Sequence, residues 1–144
     1  MLRHGDFACA VLWRDGKVLL GLRSADKRTY PNCWDVFGGY VEAGETIEQA
    51  LSRELVEEIG VAPVEFAKLS VIDEPDKARH GDGRYHMYIV TAWDGGEPRM
   101  LGEEHVDMRW FTPTDAAALP TLALAEYREV FAMAEAASQA HASD

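Results

Sequence analysis

Three glutamates set close together, Glu54, Glu57 and Glu58, are the residues of this chain best placed to do chemistry. On a helix, positions three and four apart are neighbours, so all three carboxylates converge above one patch of helix surface. Converging carboxylates repel unless something positive lies between them. Hard oxygen donors in such a cluster suit Mg²⁺, with Mn²⁺ as a substitute. A cation so held acidifies a bound water, polarises a phosphoryl oxygen and clamps a diphosphate. A Glu-rich helix is more often a solvated face, so the triple alone does not settle the matter.

The helix that must carry these acids is well marked. Thr46 and Gln49 match a capping box at its start. Ile47, Leu51, Leu55 and Ile59 recur every four residues and Gly60 sits where a left-handed cap is wanted, predicting a helix from about Ile47 to Ile59. The acids border its apolar stripe. Before it, the runs Phe7 to Trp13 and Val18 to Leu22 flank Asp15-Gly16 and read as a hairpin. Residues 24–33 read as a polar loop, Trp34 to Phe37 as a short extended piece, and Gly38-Gly39 as a break in regularity. After it, Val64 to Ile72 and Tyr85 to Trp93 read as strands around a charged loop, Asp73 to Arg84. Asp94 to Pro98 reads as a turn and Met108 to Phe111 as a short strand. An alanine-rich helix is expected from Thr121 to about Ser138 with Leu122, Tyr127, Val130 and Phe131 inward, and residues 139–144 as a frayed tail.

The wider pattern changes the weight of the glutamates. Gly39, Glu45 and the run Arg53-Glu54-Leu55-Val56-Glu57-Glu58-Ile59-Gly60-Val61 match G-x5-E-x7-R-E-U-x-E-E-x-G-U, with U aliphatic, at every defining position. A chance match has odds of roughly one in a billion per start, which removes coincidence as a rival. The segment Gly39 to Val61 resembles the Nudix box. Weaker family-like features lie around it, including the upstream hairpin, Pro31, Trp34 and Gly102-Glu103-Glu104-His105 before Trp110-Phe111. Phe37 stands where many family members have proline, which leaves the path of the glycine loop open.

The resemblance implies an α/β fold, an α/β/α sandwich with a mixed sheet between helices. It implies that Glu54, Glu57 and Glu58 bind metal ions together with the backbone carbonyl of Gly38. Arg53 would orient Glu54, since a guanidinium fork holds a carboxylate in one geometry. Gly39, Glu45 and Gly60 would be structural, Glu45 bracing loop and helix. The catalytic base varies in the family; Glu104 is favoured here, Glu103 close behind, and His105 reads as structural. Arg23, Tyr30, Trp34, Tyr85 and His86 are candidate substrate contacts. The aromatic ones, with Tyr88, have the faces to stack on a base but fit equally as core or strand surface.

The leading expectation is a Mg²⁺-dependent pyrophosphohydrolase taking a nucleoside triphosphate, oxidised ones included, to a nucleoside monophosphate and pyrophosphate. ADP-ribose, a nucleotide sugar or a dinucleoside polyphosphate is the alternative, which the box does not separate. A non-catalytic nucleotide sensor would be expected to lack a box carboxylate, and all are present. Prenyl diphosphate isomerisation needs a further cysteine and glutamate in set positions, and Cys33 has no convincing partner.

Composition agrees. The chain has 144 residues, 47% hydrophobic and 27% charged, with no repeat or linker, which predicts one domain over 1–144. Its net charge of -11, from 14 basic and 25 acidic residues, argues against polymeric nucleic acid but permits a small phosphate compound where cations mask the acids. Two cysteines and no long apolar stretch predict a reduced, cytoplasmic protein away from membranes. The oligomeric state is left open, a homodimer included.

Overall fold

The computed structural model describes residues 5–142. It has seven strands and four helices in the order β1 (Asp6–Arg14), β2 (Lys17–Arg23), β3 (Trp34–Asp35), β4 (Phe37–Tyr40), α1 (Ile47–Ile59), β5 (Ala62–Asp73), α2 (Lys77–His80), β6 (Arg84–Asp94), β7 (His105–Phe111), α3 (Pro113–Ala117) and α4 (Tyr127–Ala142). Strand β1 is central. It runs parallel to β6 from Asp6 to Leu12 and antiparallel to β4, with Ala8 opposite Gly39 and Cys9 opposite Gly38. At its far end it turns into β2 through Asp15 and Gly16, both at positive φ (53° and 75°), as a two-residue turn between twisted strands requires. The sheet is therefore mixed, and β7 extends it by pairing with β2.

Alternation along β1 builds both cores. Ala8, Ala10 and Leu12 pack with Ala50, Leu51, Leu55 and Ile59 of α1, while Cys9, Val11 and Trp13 pack with Tyr127, Val130, Phe131 and Ala134 of α4. Helix, sheet and helix form the expected sandwich. Helix α1 begins and ends where its signals lie. Thr46 accepts from Gln49 N–H at 3.1 Å, Gln49 returns the bond to Thr46 N–H at 2.9 Å, and Gly60 caps the end at φ 72°.

Three expectations are corrected. Gly38-Gly39 does not break the strand but sits inside β4, where the missing side chains let it lie tight between β1 and α1. The C-terminal helix begins at Tyr127, because Thr121 O and Ala123 N–H are taken by Trp34 N–H and O, both at 2.8 Å, which holds that stretch extended. It then continues through Ala142; residues 143 and 144 lie outside those described. A short helix, α2, occupies part of the segment read as the charged loop Asp73 to Arg84, and another, α3, follows β7 with Thr112 as cap and Pro113 in its first turn. No helix of the described residues is long and apolar enough to cross a membrane.

Candidate active site

A cleft of about 650 Å³ opens beside the N-terminal half of β1 and the C-terminal part of its antiparallel neighbour β4. Glu54 of α1 and Glu104, just before β7, line it together with residues 26–29 of the loop 24–33, which meets Glu104 through Ser24 N–H at 3.0 Å and Lys27 at 3.5 Å. Packing of the α1 stripe onto β1 puts Glu58 at the buried edge, with 8% of the residue exposed. Burial, then the charges of Glu104 and Glu54, push its carboxyl up to about 9, against a backbone hydrogen bond from Gly38 that favours the charged form. Burial likewise raises the Glu54 carboxyl, with the neighbouring Glu57 charge adding to it and Arg53 opposing it. Close buried acids resist ionising together when nothing positive lies between them.

Arg53 is the brace. Its Nε and Nη2 donate to Glu45 at 2.7 and 2.9 Å, its Nη1 to Glu54 at 2.8 Å, and its Nη2 also to Tyr40 O at 2.9 Å. One guanidinium thus ties helix α1 to the loop before it and to the end of β4. Glu45 is drawn down to about 2 by the Arg53 hydrogen bond and a further bond from Glu42 N–H. The glycines of β4 complete this side of the cleft. At Gly38, φ 146°, a Cβ would collide with the Ala8 carbonyl oxygen, and at Gly39 it would drive into the Glu54 carboxyl.

His105 enters the site as well. Its ring lies 4.9 Å from that of Phe37 and crosses Gly21, where a Cβ would meet it at 2.6 Å. Burial pushes its imidazole below the ordinary value, disfavouring the charged ring. Ligand atoms of Glu58, Glu104 and His105 lie within 4.8 Å of one another. Glu58 Oε2 and His105 Nε2 are both buried without a hydrogen-bond partner among the described residues. Two buried polar atoms without partners beside the Glu54 and Glu104 carboxyls fit a divalent cation, which takes several oxygen donors.

The remaining candidates divide. Glu104 lines the cleft and pairs with Lys27 at 3.5 Å, whereas Glu103, exposed, does not line it. Glu57 stays at the rim with 58% of its side chain exposed, 3.4 Å from Arg53 Nη1. Arg23 lines the cleft, but its guanidinium is engaged by Thr29 O at 2.8 and 3.0 Å and faces Asp35 at 3.5 Å. Tyr85 lines it with its hydroxyl turned to Glu74 at 2.7 Å. Tyr30 stacks on His80 away from the cleft, and Trp34 packs edge-on to Phe111 in the core beneath α4. His86 meets Asp6 at 2.8 Å and pins β6 to β1. Tyr88, on the α1 side, donates to Glu48 at 3.1 Å and is pushed up to about 12 by burial and that bond. Reasoning from sequence passed over Lys27, Arg28 and Asp35, all on the cleft; the basic pair inside a polar loop was the available signal for the first two.

Carboxylates and cations lining one cleft suit a hydrolase that handles a polyanionic phosphate compound with a divalent metal. The comparisons agree. The model of the NUDIX domain matches residues 2–133. Nucleoside triphosphatase NudI of Escherichia coli is 31% identical over 121 residues, spanning 79% of this chain and 86% of its own. The MutT NUDIX hydrolase from Burkholderia pseudomallei superposes with a TM-score of 0.78 at 29% identity, over 91% of this chain and 98% of that one. The E. coli ORF135 protein does so with a TM-score of 0.75 at 28% identity, over 96% and 94%. This chain belongs to the NUDIX family, and its activity is hydrolysis of a diphosphate linkage in a nucleotide compound.

Proposed function

We propose that the chain is a Mg²⁺-dependent pyrophosphohydrolase of nucleoside triphosphates, releasing a nucleoside monophosphate and pyrophosphate. The observation that carries the reading is the orphaned pair Glu58 Oε2 and His105 Nε2 beside Glu54 and Glu104. Buried polar atoms without partners are costly, and a cation with a phosphate compound satisfies them together. The triphosphate itself is supported by the similarity to a nucleoside triphosphatase.

Glu54, Glu57 and Glu58, with the Gly38 carbonyl, would hold the metal, and His105 lies beside Glu58. When bound, Mg²⁺ supplies charge neutralisation on the phosphate oxygens. The chain's own residues do the rest. Arg53 keeps Glu54 aimed while Glu45 and Tyr40 O hold Arg53. Glu104, whose carboxylate lies beside Glu58 on the open side of the cleft, accepts the proton of the attacking water. Glu103 is too far out for that task. The aromatic and apolar side chains of Phe7, Val36 and Tyr85 form the part of the cleft suited to a nucleoside. Two free cysteines, Cys9 buried and Cys33 half-buried, support a reducing, cytoplasmic setting.

The test is a panel of nucleoside triphosphates, ADP-ribose and a diadenosine polyphosphate with Mg²⁺ or Mn²⁺, products separated by anion exchange. Pyrophosphate released from triphosphates supports the reading. Turnover confined to ADP-ribose or the dinucleotide, or product as inorganic phosphate, overturns it.

A further inference from the structure

The loop 24–33 borders the cleft beside Glu104, and its two cations, Lys27 and Arg28, line it. The third cation there, Arg23, is already engaged by Thr29 and Asp35. A polyanion entering a cleft that also holds Asp26, Asp35, Glu54 and Glu104 needs positive partners; Arg28 is exposed, and the Lys27 ammonium meets Glu104 at 3.5 Å in a part-exposed pair that a phosphate chain can displace. We propose that this loop is the arm that grips the substrate's outer phosphates through Lys27 and Arg28, and that buried Glu74, outside the cleft, is its anchor through Tyr30. The proposal rests on the pyrophosphohydrolase reading and deepens it.

The arm is braced at three places. Its base is closed by Arg23 N–H to Cys33 O at 2.9 Å and by Ser24 N–H to Glu104 O at 3.0 Å. The second bond sets the start of the arm against the proposed base. From inside, the Arg23 guanidinium holds the Thr29 carbonyl. From outside, Tyr30 stacks on His80 with ring centroids 3.8 Å apart and donates its hydroxyl to Glu74 at 2.5 Å.

Glu74 is an uncommon residue to find in that place. It is 2% exposed, and no ion-pair partner faces it among the described residues. A carboxylate buried without a cation is tolerated only when donors surround it. Here there are three: Tyr30 OH, Tyr85 OH at 2.7 Å and Asp76 N–H at 2.9 Å. Tyr30 is held at φ 52°, a left-handed backbone that a residue with a side chain adopts only when its surroundings enforce it. Glu74 and His80 are those surroundings. Releasing Tyr30 lets its backbone relax and shifts the adjoining residues Lys27 to Thr29 away from the acids. Lys27 Nζ now lies 3.5 Å from Glu104, so arm and acids are near enough for one phosphate chain to touch both. Glu74 is on this account a positioning residue.

The experiment measures KM and kcat, and the Kd for a methylene-bridged nucleoside triphosphate analogue by calorimetry, in four proteins: wild type, Lys27→Gln/Arg28→Gln, Glu74→Gln, and all three substitutions together. The double variant should raise KM and Kd by roughly 10- to 100-fold, the loss of charge-assisted phosphate contacts, with kcat changed less than about threefold. Glu74→Gln should raise KM and Kd by roughly five- to tenfold in the wild-type background and add nothing when Lys27 and Arg28 are already removed. Tyr30→Phe keeps the ring on His80 and loses only the hydrogen bond; it should copy Glu74→Gln and serves in its place should that variant not fold. Unchanged KM in the double variant overturns the grip. An equal effect of Glu74→Gln, or of Tyr30→Phe, in both backgrounds, or one confined to kcat, overturns the anchor. Absence of turnover on every nucleoside triphosphate sinks the parent reading instead, and the same variants are then compared on whichever phosphoanhydride the panel shows to be hydrolysed.

Discussion

Replacing Glu58 by Gln should make the metal-free protein more stable while abolishing its activity. In the folded chain the carboxyl sits at about 9 instead of 4.5, since it is buried and faces Glu104 and Glu54. A raised folded value means that stability is fully present below 4.5 and is lost as pH rises toward 9, where burying the charge is the only choice left. At neutral pH the cost is already large. The folded group stays protonated while the unfolded one does not, and each pH unit above 4.5 costs about 1.4 kcal/mol, which gives about 3 kcal/mol near pH 7. Glutamine is neutral at all these pH values, and its amide can donate to the surrounding carboxylates. Removing that cost should raise the melting temperature by roughly 10 °C, taking roughly 3 °C per kcal/mol for a chain of this size. The assay is thermal unfolding in EDTA across the acid-to-neutral range. The gain should be greatest at the neutral end and should vanish at the acid end. Saturating Mg²⁺ should stabilise the wild type by about 2.7 kcal/mol at 100 times its Kd and the variant by much less, narrowing or reversing the difference. A variant less stable than wild type in EDTA near neutral pH, or a difference that does not shrink on acidification, would refute the reasoning.

The other expectations concern single contacts. Gly39→Ala pushes a methyl into the Glu54 carboxyl, a movable side-chain end, so kcat should fall by about 10²-fold with melting nearly unchanged, whereas Gly38→Ala meets the Ala8 backbone at φ 146° and should cost about 2–4 kcal/mol in urea unfolding. Glu104→Gln should lower kcat by roughly 10²- to 10⁴-fold, and Glu103→Gln by less than about twofold, in steady-state assays; equal losses would remove Glu104 from its role. Arg53→Lys keeps the charge but loses the fork that joins Glu45, Glu54 and Tyr40 O, so kcat should drop at least about tenfold, with added Mg²⁺ failing to restore it. Gly60→Ala forces a side chain into the left-handed cap and against Arg99 at 2.7 Å, and should cost about 1 kcal/mol of stability while leaving kcat alone.

What the amino-acid order determined by itself is local or periodic. Asp15-Gly16 forms the turn because two adjacent residues suit positive φ. Thr46, Gln49 and Gly60 set the ends of α1 because capping partners lie within one helical turn of each other. The four-residue recurrence of Ile47, Leu51, Leu55 and Ile59 placed Glu54 and Glu58 beside a buried face, since helix geometry is the same in any protein. The reaction class came from the resemblance of Gly39, Glu45 and Arg53 to Val61 to the Nudix box, a match of residue types at fixed spacing.

Tertiary structure alone decided how deep each acid lies and what stands opposite. Glu57 and Glu58 point about 100° apart on the helix, yet only the packing of α1 against the sheet decides that Glu58 is buried to 8% exposure while the Glu57 side chain stays 58% exposed. Glu104 and His105 reach Glu58 only because β7 pairs with β2, and Gly21 leaves room for the imidazole. Tyr30 and Tyr85, alike as aromatic candidates, end on one carboxylate that no pattern linked to them. The segment from Thr121 to Ala123 has helix-forming residues but lies extended, as Trp34 takes its backbone bonds. Propensity acts between neighbours in the chain, whereas burial, charge proximity and backbone pairing act between neighbours in space, which only the assembled sandwich defines.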